Sequence, residues 1–184
     1  MKVFLDTETT GLSSQYCALL EIAALAVDDE GNIIEQFHEY INPGRPIPFE
    51  ITRINHITDK DVANCATEKE VLNNLVEWML GLGVDTVIAH NASFDMRFLR
   101  DRSDICYVKG HPFHEVKVID TLPLCRKLIK AGKIETLPLP DGSGKAGGAK
   151  QEQIARALGI EYFAHNALED AYALSKIYRI LQTL

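Results

Sequence analysis

Two acids lie one residue apart near the start of the chain, in the segment DTETTGL. Side chains alternate along a strand, so Asp6 and Glu8 point the same way, with Cα atoms about 6.5 Å apart. Burying carboxylates is costly unless something positive meets them. Two carboxylates on one face at a strand end could share hard cations such as magnesium, which prefers oxygen ligands. A pair of acids on a solvent-exposed edge is the alternative.

A third acid, Asp95, lies in the segment HNASFD, which a short apolar strand connects to the start of a helix. Asp95 comes one helical turn before Leu99 and therefore leans towards the buried side of that helix. An unpaired acid there would be destabilising. Either it belongs to a site, or it caps the helix or pairs with Arg97 or Arg100.

A fourth acid and a histidine lie in the segment HNALEDA near the end of the chain. Asp170 heads a stripe of apolar residues with helical spacing that continues through Leu174, Ile177 and Leu181. An acid at that place needs something positive to meet it. His165 comes five residues earlier, at or just before the helix start, and could reach the same cleft. A helix cap or a surface ring is the alternative for His165.

Together these segments supply four carboxylates on faces meant for the core: Asp6, Glu8, Asp95 and Asp170. Converging carboxylates repel one another unless cations separate them, and two divalent ions would resolve the repulsion. Two ions held this way form the apparatus for cleaving phosphodiesters, because they generate hydroxide and stabilise the attacking and leaving oxygens. A nearby histidine such as His165 can take the proton of the water.

The elements that position these residues begin with three apolar or alternating strands joined by short connections, which favours an antiparallel meander. The first strand runs from about Lys2 to Glu8, and the proline-rich stretch 42–49 is predicted to be a loop. Thr67 and Glu70 form a capping box before an amphipathic helix. The strands and helices predicted after it are DTVIAH, NASFDMRFLRDR with Asn91 available as cap, KVIDT, LPLCRKLIKAG, KQEQIARALGI and a last helix over about 166–182.

This order predicts an α/β fold with a mixed sheet, antiparallel first and parallel afterwards. The length of 184 residues predicts a single domain over 1–184. Residues 140–150, PDGSGKAGGAK, are predicted to be the most flexible stretch, and their lysines could touch phosphates.

The three acidic segments resemble, in this order and spacing, the three motifs of the DnaQ-like exonuclease superfamily, in the subclass with a histidine in the third motif. The resemblance covers nearly the whole chain, including EIAALAV and IDTLPLCRKL. Within the superfamily it is nearest to the proofreading epsilon subunits of bacterial DNA polymerase III and their stand-alone relatives. It implies a ribonuclease-H-like fold with a five-stranded sheet.

The resemblance also implies an activity, which is 3′→5′ release of nucleoside 5′-monophosphates with two divalent ions, Mg²⁺ or Mn²⁺. Asp6 would bridge the two ions, Glu8 and Asp170 would complete the first site, and Asp95 would serve the second. His165 would be the general base. The implied substrate is DNA with a single-stranded or frayed 3′ end, in proofreading or repair.

For substrate binding, the resemblance places Thr9 and Thr10 where the family grips the 3′-terminal nucleotide, partly through backbone groups. His90 and Asn91 would lie near the substrate strand. The family often has glycine in H-G-I after its third strand, where this chain has His56. The sequence shows neither the polymerase-binding tail nor the clamp-binding motif of the epsilon subunit, so a DNA polymerase partner stays open.

Two other functions compete with a DNA exonuclease. An exoribonuclease of the same fold would act on RNA ends or short oligoribonucleotides. The residue types near Thr9 do not decide whether the site accommodates a 2′-OH, so they do not separate RNA from DNA. A non-catalytic module that binds nucleic-acid ends or a polymerase is the third reading, since members of an enzyme fold can become scaffolds. The complete set of acids and the histidine disfavours that reading.

The charge distribution is uneven, with a formal net charge of −7. Residues 97–150 hold eleven Lys and Arg against six Asp and Glu, which is +5, and the remainder is −12. The net charge argues against a sequence-independent cationic coat on nucleic acid. A local basic segment is compatible with a polyanion entering one cleft, although the charge alone favours a mixed solvated surface.

Membrane and secretion signals are missing from the sequence, because no apolar run reaches the length of a span and no signal peptide precedes Asp6. The four cysteines are widely spaced, so we expect reduced thiols in a cytoplasmic protein. His111 and His114 form an H-x-x-H, but zinc would need further ligands, and the sequence offers none at a suitable spacing.

Overall fold

A computed structural model describes all residues of the chain, 1–184. Five strands form one sheet in the order β3-β2-β1-β4-β5. The first three pair antiparallel, and β4 and β5 join them in parallel. The predicted α/β fold with a mixed five-stranded sheet is therefore confirmed. The strands are β1 (Lys2–Thr9), β2 (Leu19–Val27), β3 (Ile33–Tyr40), β4 (Thr86–Ala89) and β5 (Lys117–Asp120).

Seven helices and one 3₁₀ turn, Pro112–His114, flank this sheet. The helices are α1 (Phe49–Asn55), α2 (Asp59–Val62), α3 (Glu68–Gly81), α4 (Ser93–Ile105), α5 (Thr121–Lys130), α6 (Gln151–Ala157) and α7 (Ala167–Leu181).

The alternation of side chains along β1 decides which acids meet which helix. Val3 and Leu5 point into the larger core, which α3 and α4 complete. Phe4 points to the opposite face and packs with Ala171 and Leu174 of α7. By the same alternation, Asp6 and Glu8 face α7, whereas Thr7 faces α4. The sheet therefore separates the two helices that carry the remaining acids.

Of the two predicted helix caps, one is confirmed and one is wrong. The backbone N–H of Thr67 donates to Glu70, and that of Glu70 donates to Thr67 Oγ1, so the capping box starts α3. Asn166 caps α7 by accepting from the backbone of Glu169. Asn91 does not cap α4, because its φ of 63° puts it in a left-handed turn and the helix begins two residues later, at Ser93.

The sequence analysis missed α1 and α2. They have seven and four residues, and the apolar Phe49 and Ile54 of α1 are exposed, so no apolar stripe marks the helix. His56 ends α1 in a left-handed conformation with φ of 62°. Glycine adopts that conformation without steric cost, which explains why a glycine suits this position in the family.

The glycine-rich segment 140–150 is tied to the start of α6. Gln153 Nε2 donates to the carbonyl oxygens of Leu137 and Lys145, both at 2.8 Å. A Cβ atom at Gly144 would lie 2.7 Å from the side chain of Gln153. Close packing against Gln153 therefore favours glycine at position 144, and phosphate contacts by the lysines stay a prediction.

All four cysteines are free thiols. No helix of the structure is long and apolar enough to cross a membrane.

Candidate active site

Three of the predicted acids meet at the end of β1. Asp6 and Glu8 project from the strand, and Asp170 projects from the first turn of α7. One carboxylate oxygen from each lies within 4.8 Å of the other two. This convergence follows from the alternation along β1 and from the packing of α7 over that face.

Four hydrogen bonds orient the Asp170 carboxylate. Tyr162 Oη and Gln151 Nε2 donate to Oδ1 at 3.0 and 2.9 Å. The backbone N–H groups of His165 and Asn166 donate to Oδ2 at 2.8 and 3.2 Å. The loop before α7 thus folds around this carboxylate and fixes its direction.

The carboxylates of this cluster hold protons unusually strongly. Burial raises the pKa of Asp6 well above its ordinary value, and the charge of Asp170 raises it further. Burial, together with the charges of Asp170 and Glu21, raises the pKa of Glu8 to about 8. Burial also raises the pKa of Asp170 to about 6, although its hydrogen bonds oppose the shift. A cation between these groups would favour their charged forms.

Asp95 approaches β1 from the other face of the sheet. Its Oδ1 accepts from Thr7 Oγ1 at 2.8 Å and from the backbone N–H of Thr7 at 3.1 Å. Burial raises its pKa to about 7, against the lowering effect of those bonds. The alternative pairings are wrong, because Arg97 and Arg100 donate to backbone carbonyls instead. The structure therefore groups three of the four acids, and a metal role for Asp95 stays a prediction.

His165 lies at the turn that precedes α7, with φ of 67°. Its backbone bonds Asp170, while its ring makes no hydrogen bond within the protein. Partial desolvation of the ring lowers its pKa, which favours the neutral imidazole near pH 7. The ring is thus available to accept a proton, and its role as general base stays a prediction.

Thr9 and Thr10 use their hydroxyl groups inside the turn that follows β1. Thr9 Oγ1 donates to the carbonyl of Gly11 at 2.7 Å, and Thr10 Oγ1 accepts from the backbone N–H of Ala18 at 2.9 Å. Both threonines are buried. Their side chains shape this turn, and contact with a nucleotide stays a prediction.

His90 and Asn91 lie at the end of β4, beside β1 in the sheet. Both ring nitrogens of His90 are engaged, with Thr121 Oγ1 at 2.9 Å and the carbonyl of Ala149 at 2.8 Å. The backbone N–H of Asn91 donates to Asp120, and its side chain is exposed. His90 therefore braces the glycine-rich segment, and substrate contact by either residue stays a prediction.

Glu21 supports the site and was missed by the sequence analysis. It is fully buried on β2, where it accepts from the backbone N–H of Ala167 at 3.0 Å and from Asn166 Nδ2 at 3.1 Å. His38 Nε2 lies 2.7 Å from Glu21 Oε1, the same oxygen that accepts from Asn166. A single acid within the apolar strand LLEIAALAV is the signal that could have revealed it. Glu21 thereby fixes the start of α7.

Three further residues orient the acids, and no sequence signal marks them. Tyr162 and Gln151 bond Asp170, as described above, and the buried Asn55 lies on the undetected helix α1. Asn55 Nδ2 donates to Glu8 Oε2 at 3.4 Å.

Comparison with known proteins identifies the family. A family model described as Exonuclease (RNase T) matches residues 3–178. The chain belongs to this exonuclease family. The resemblance predicted from the three motifs is confirmed, as is the prediction that the chain is an enzyme, a nuclease.

A DNA polymerase is among the similar sequences. The PolC-type DNA polymerase III of Bacillus subtilis (strain 168) is 40% identical over 128 residues, which are 68% of this chain. The match spans only 8% of that polymerase.

Two exonucleases are among the similar solved structures. Exonuclease X, in complex with 5′-overhanging duplex DNA, has a TM-score of 0.69 at 25% identity, covering 100% of this chain and 92% of that one. A zinc-bound E. coli exonuclease I complex with single-stranded DNA has a TM-score of 0.79 at 21% identity, covering 99% of this chain and 40% of that one. The predicted ribonuclease-H-like fold is confirmed by these neighbours.

Proposed function

We propose that residues 1–184 form a single exonuclease domain that releases nucleoside 5′-monophosphates from single-stranded or frayed DNA 3′ ends. The observation that carries the proposal is the cluster of Asp6, Glu8 and Asp170, in which the backbone N–H of His165 donates to Asp170. The membership of the chain in the exonuclease family supports exonucleolytic cleavage as the reaction class. The DNA complexes of exonucleases I and X support DNA as substrate.

Divalent metal ions fit the donor set of this cluster. All its ligands are carboxylate oxygens, and burial first and the negative charge of neighbouring acids second raise the pKa values of Asp6 and Glu8. Mg²⁺ and Mn²⁺ both accept such a shell. Asp6, Glu8 and Asp170 would hold one ion, and Asp95 would serve a second with Asp6. When bound, these ions supply hydroxide and stabilise charge on the phosphate.

The protein contributes a proton acceptor and a fixed geometry. His165, with its lowered pKa, is neutral at pH 7 and can take the proton of the attacking water. Asp170 keeps one orientation because two backbone N–H groups and two side chains donate to it. Glu21 holds the helix start that carries these N–H groups.

Association with a DNA polymerase is the proposed context, and it is supported by the similarity to the PolC-type polymerase. The basic stretch 97–150 supports electrostatic attraction of the DNA strand, because it concentrates cations in an otherwise acidic chain.

The experiment is a time course on 5′-labelled single-stranded DNA and RNA of one sequence, with Mg²⁺, with Mn²⁺ and with chelator. We expect a ladder that shrinks from the 3′ end of DNA and that chelator abolishes. Asp6→Ala is the matched control and should lower the rate by several orders of magnitude. Faster cleavage of RNA would favour the exoribonuclease, and binding without any cleavage would favour a non-catalytic module.

A further inference from the structure

A second group of metal-binding side chains lies at the far end of α4 from Asp95. Asp104, near the last residue of this helix, meets His111 and His114, which border the 3₁₀ turn Pro112–His114. One possible ligand atom from each of the three lies within 4.8 Å of the others. The nine residues from Asp95 to Asp104 span roughly 13 Å of helix, so this group is separate from the carboxylate cluster.

His111 is the fixed member of the group. Its side chain is only 8% exposed, and its ring stacks on Phe113 with centroids 5.3 Å apart. Nε2 lies 3.1 Å from Asp104 Oδ1, while Nδ1 is buried without a hydrogen-bond partner. Because Nε2 faces Asp104 and the ring is stacked on Phe113, the ring is already oriented to offer this nitrogen to an ion.

The other two members are open to solvent. His114 is exposed, and its ring centroid lies 5.5 Å from that of His111. The Asp104 side chain is 65% exposed. An ion can therefore enter, and small rotations of these two side chains can bring the ligand atoms to the roughly 3.3 Å spacing that tetrahedral zinc requires.

We propose that Asp104, His111 and His114 bind a divalent transition-metal ion of the zinc type. Two imidazoles and one carboxylate suit zinc, whereas Mg²⁺ prefers an all-oxygen shell. Water would fill the fourth position. The ion would fasten the end of α4 to the 3₁₀ turn and so hold the connection to β5. The site uses three ligands, of which the sequence alone indicated only the two histidines of the H-x-x-H motif.

The test is a calorimetric titration of the full chain with zinc in excess Mg²⁺, which on the proposed function fills the carboxylate cluster. The variants are His114→Ala and Asp104→Asn, and Glu115→Gln is the control because Glu115 is an exposed neighbour outside the group. We expect the wild type to bind one zinc ion per chain. Both ligand variants should bind zinc at least about tenfold more weakly, which is the loss typical when a group that supports a metal centre is removed. The control should bind as the wild type does.

The ring resonances of His111 and His114 provide a second readout that does not depend on activity. Both should shift when zinc is added to the wild type and to Asp6→Asn, whose carboxylate cluster is impaired. Zinc binding that survives His114→Ala but disappears in Asp6→Asn would place the ion at the carboxylate cluster and overturn the proposal. An absence of zinc binding to the folded wild type would overturn it as well.

Discussion

His165 connects to the candidate active site through two separate groups. Its backbone N–H donates to Asp170 at 2.8 Å, whereas its ring makes no hydrogen bond within the protein. Removing the ring leaves the backbone bond in place. A side-chain substitution can therefore separate proton transfer from metal binding.

We predict that His165→Ala lowers the cleavage rate by about 10²–10⁴-fold while leaving Mg²⁺ affinity nearly unchanged. The reason is that the proton acceptor is lost, whereas the carboxylates and the bond to Asp170 remain. Single-turnover rates measured over a Mg²⁺ titration separate the two quantities. Glu35→Ala, at an exposed position of β3, is the control and should keep the rate. An equal loss of Mg²⁺ affinity in His165→Ala would contradict the assigned role.

Glu21 is the residue whose loss should loosen the start of α7. We predict that Glu21→Ala lowers the free energy of unfolding by about 1–3 kcal/mol, because buried donors of Asn166 and Ala167 lose their acceptor. Chemical denaturation measures this change. Glu35→Ala is the matched control, since Glu35 is exposed on the neighbouring strand β3 and makes no hydrogen bond through its side chain. Equal stability of the two variants would show that Glu21 supports nothing.

At the scale of elements, a buried ion pair joins α3, α4 and β2. Arg102 of α4 donates to both oxygens of Glu68, through Nε at 2.9 Å and Nη2 at 2.6 Å. Glu68, the first residue of α3, also accepts from the backbone N–H of Leu19 at 2.8 Å. Because α4 carries Asp95 at its other end, this pair sets the position of Asp95 relative to β1.

We predict that Arg102→Met lowers the free energy of unfolding by about 3–5 kcal/mol, because it leaves Glu68 buried without its cation. Adding Glu68→Gln should recover part of the loss, since the uncompensated charge disappears. Denaturant unfolding of the single and double variants measures both effects. Arg53→Met, at an exposed position of α1, should be nearly neutral, and a similar effect there would show that the ion pair is not the cause.

The elements also show which features of the site the sequence can reveal. Alternation along β1 was enough to place Asp6 and Glu8 on one face, and the helical stripe placed Asp170 against it. The sequence could not show which sheet face α4 would cover, so it did not reveal the contact between Asp95 and Thr7. Asp104 likewise joins His111 and His114 only because the chain turns back after α4, which no local pattern indicates.

For the whole molecule, the buried acids make the free energy of unfolding depend on pH and on metal ions. The carboxylate cluster combines the half-buried Asp6 and Glu8 and the buried Asp170 with the additional charges of Asp95 and Glu21. In the absence of ions, the folded protein reduces the repulsion by keeping protons on these groups. The unfolded chain has no such need, because its acids are separated and solvated.

We predict that the metal-free protein loses stability as pH rises from 7 to 8 and that Mg²⁺ reduces this loss. The pKa of Glu8 is about 8 in the folded protein and near its ordinary value in the unfolded chain, so folding takes up protons in this range. A folded state that binds more protons than the unfolded state is destabilised by rising pH, by at most about 1.4 kcal/mol per proton and pH unit. His90 and His165 have lowered pKa values and are largely neutral in both states there, so they contribute little.

Denaturation at both pH values, with chelator and with Mg²⁺, measures this dependence, and Glu8→Gln serves as the control. The variant should show a smaller slope in chelator, because its amide cannot take up the proton. Mg²⁺ should stabilise the wild type more at pH 8 than at pH 7, since the ion competes with protons for the same oxygens. A slope that neither Mg²⁺ nor Glu8→Gln changes would mean that other groups govern the pH dependence and that the cluster does not bind the ion.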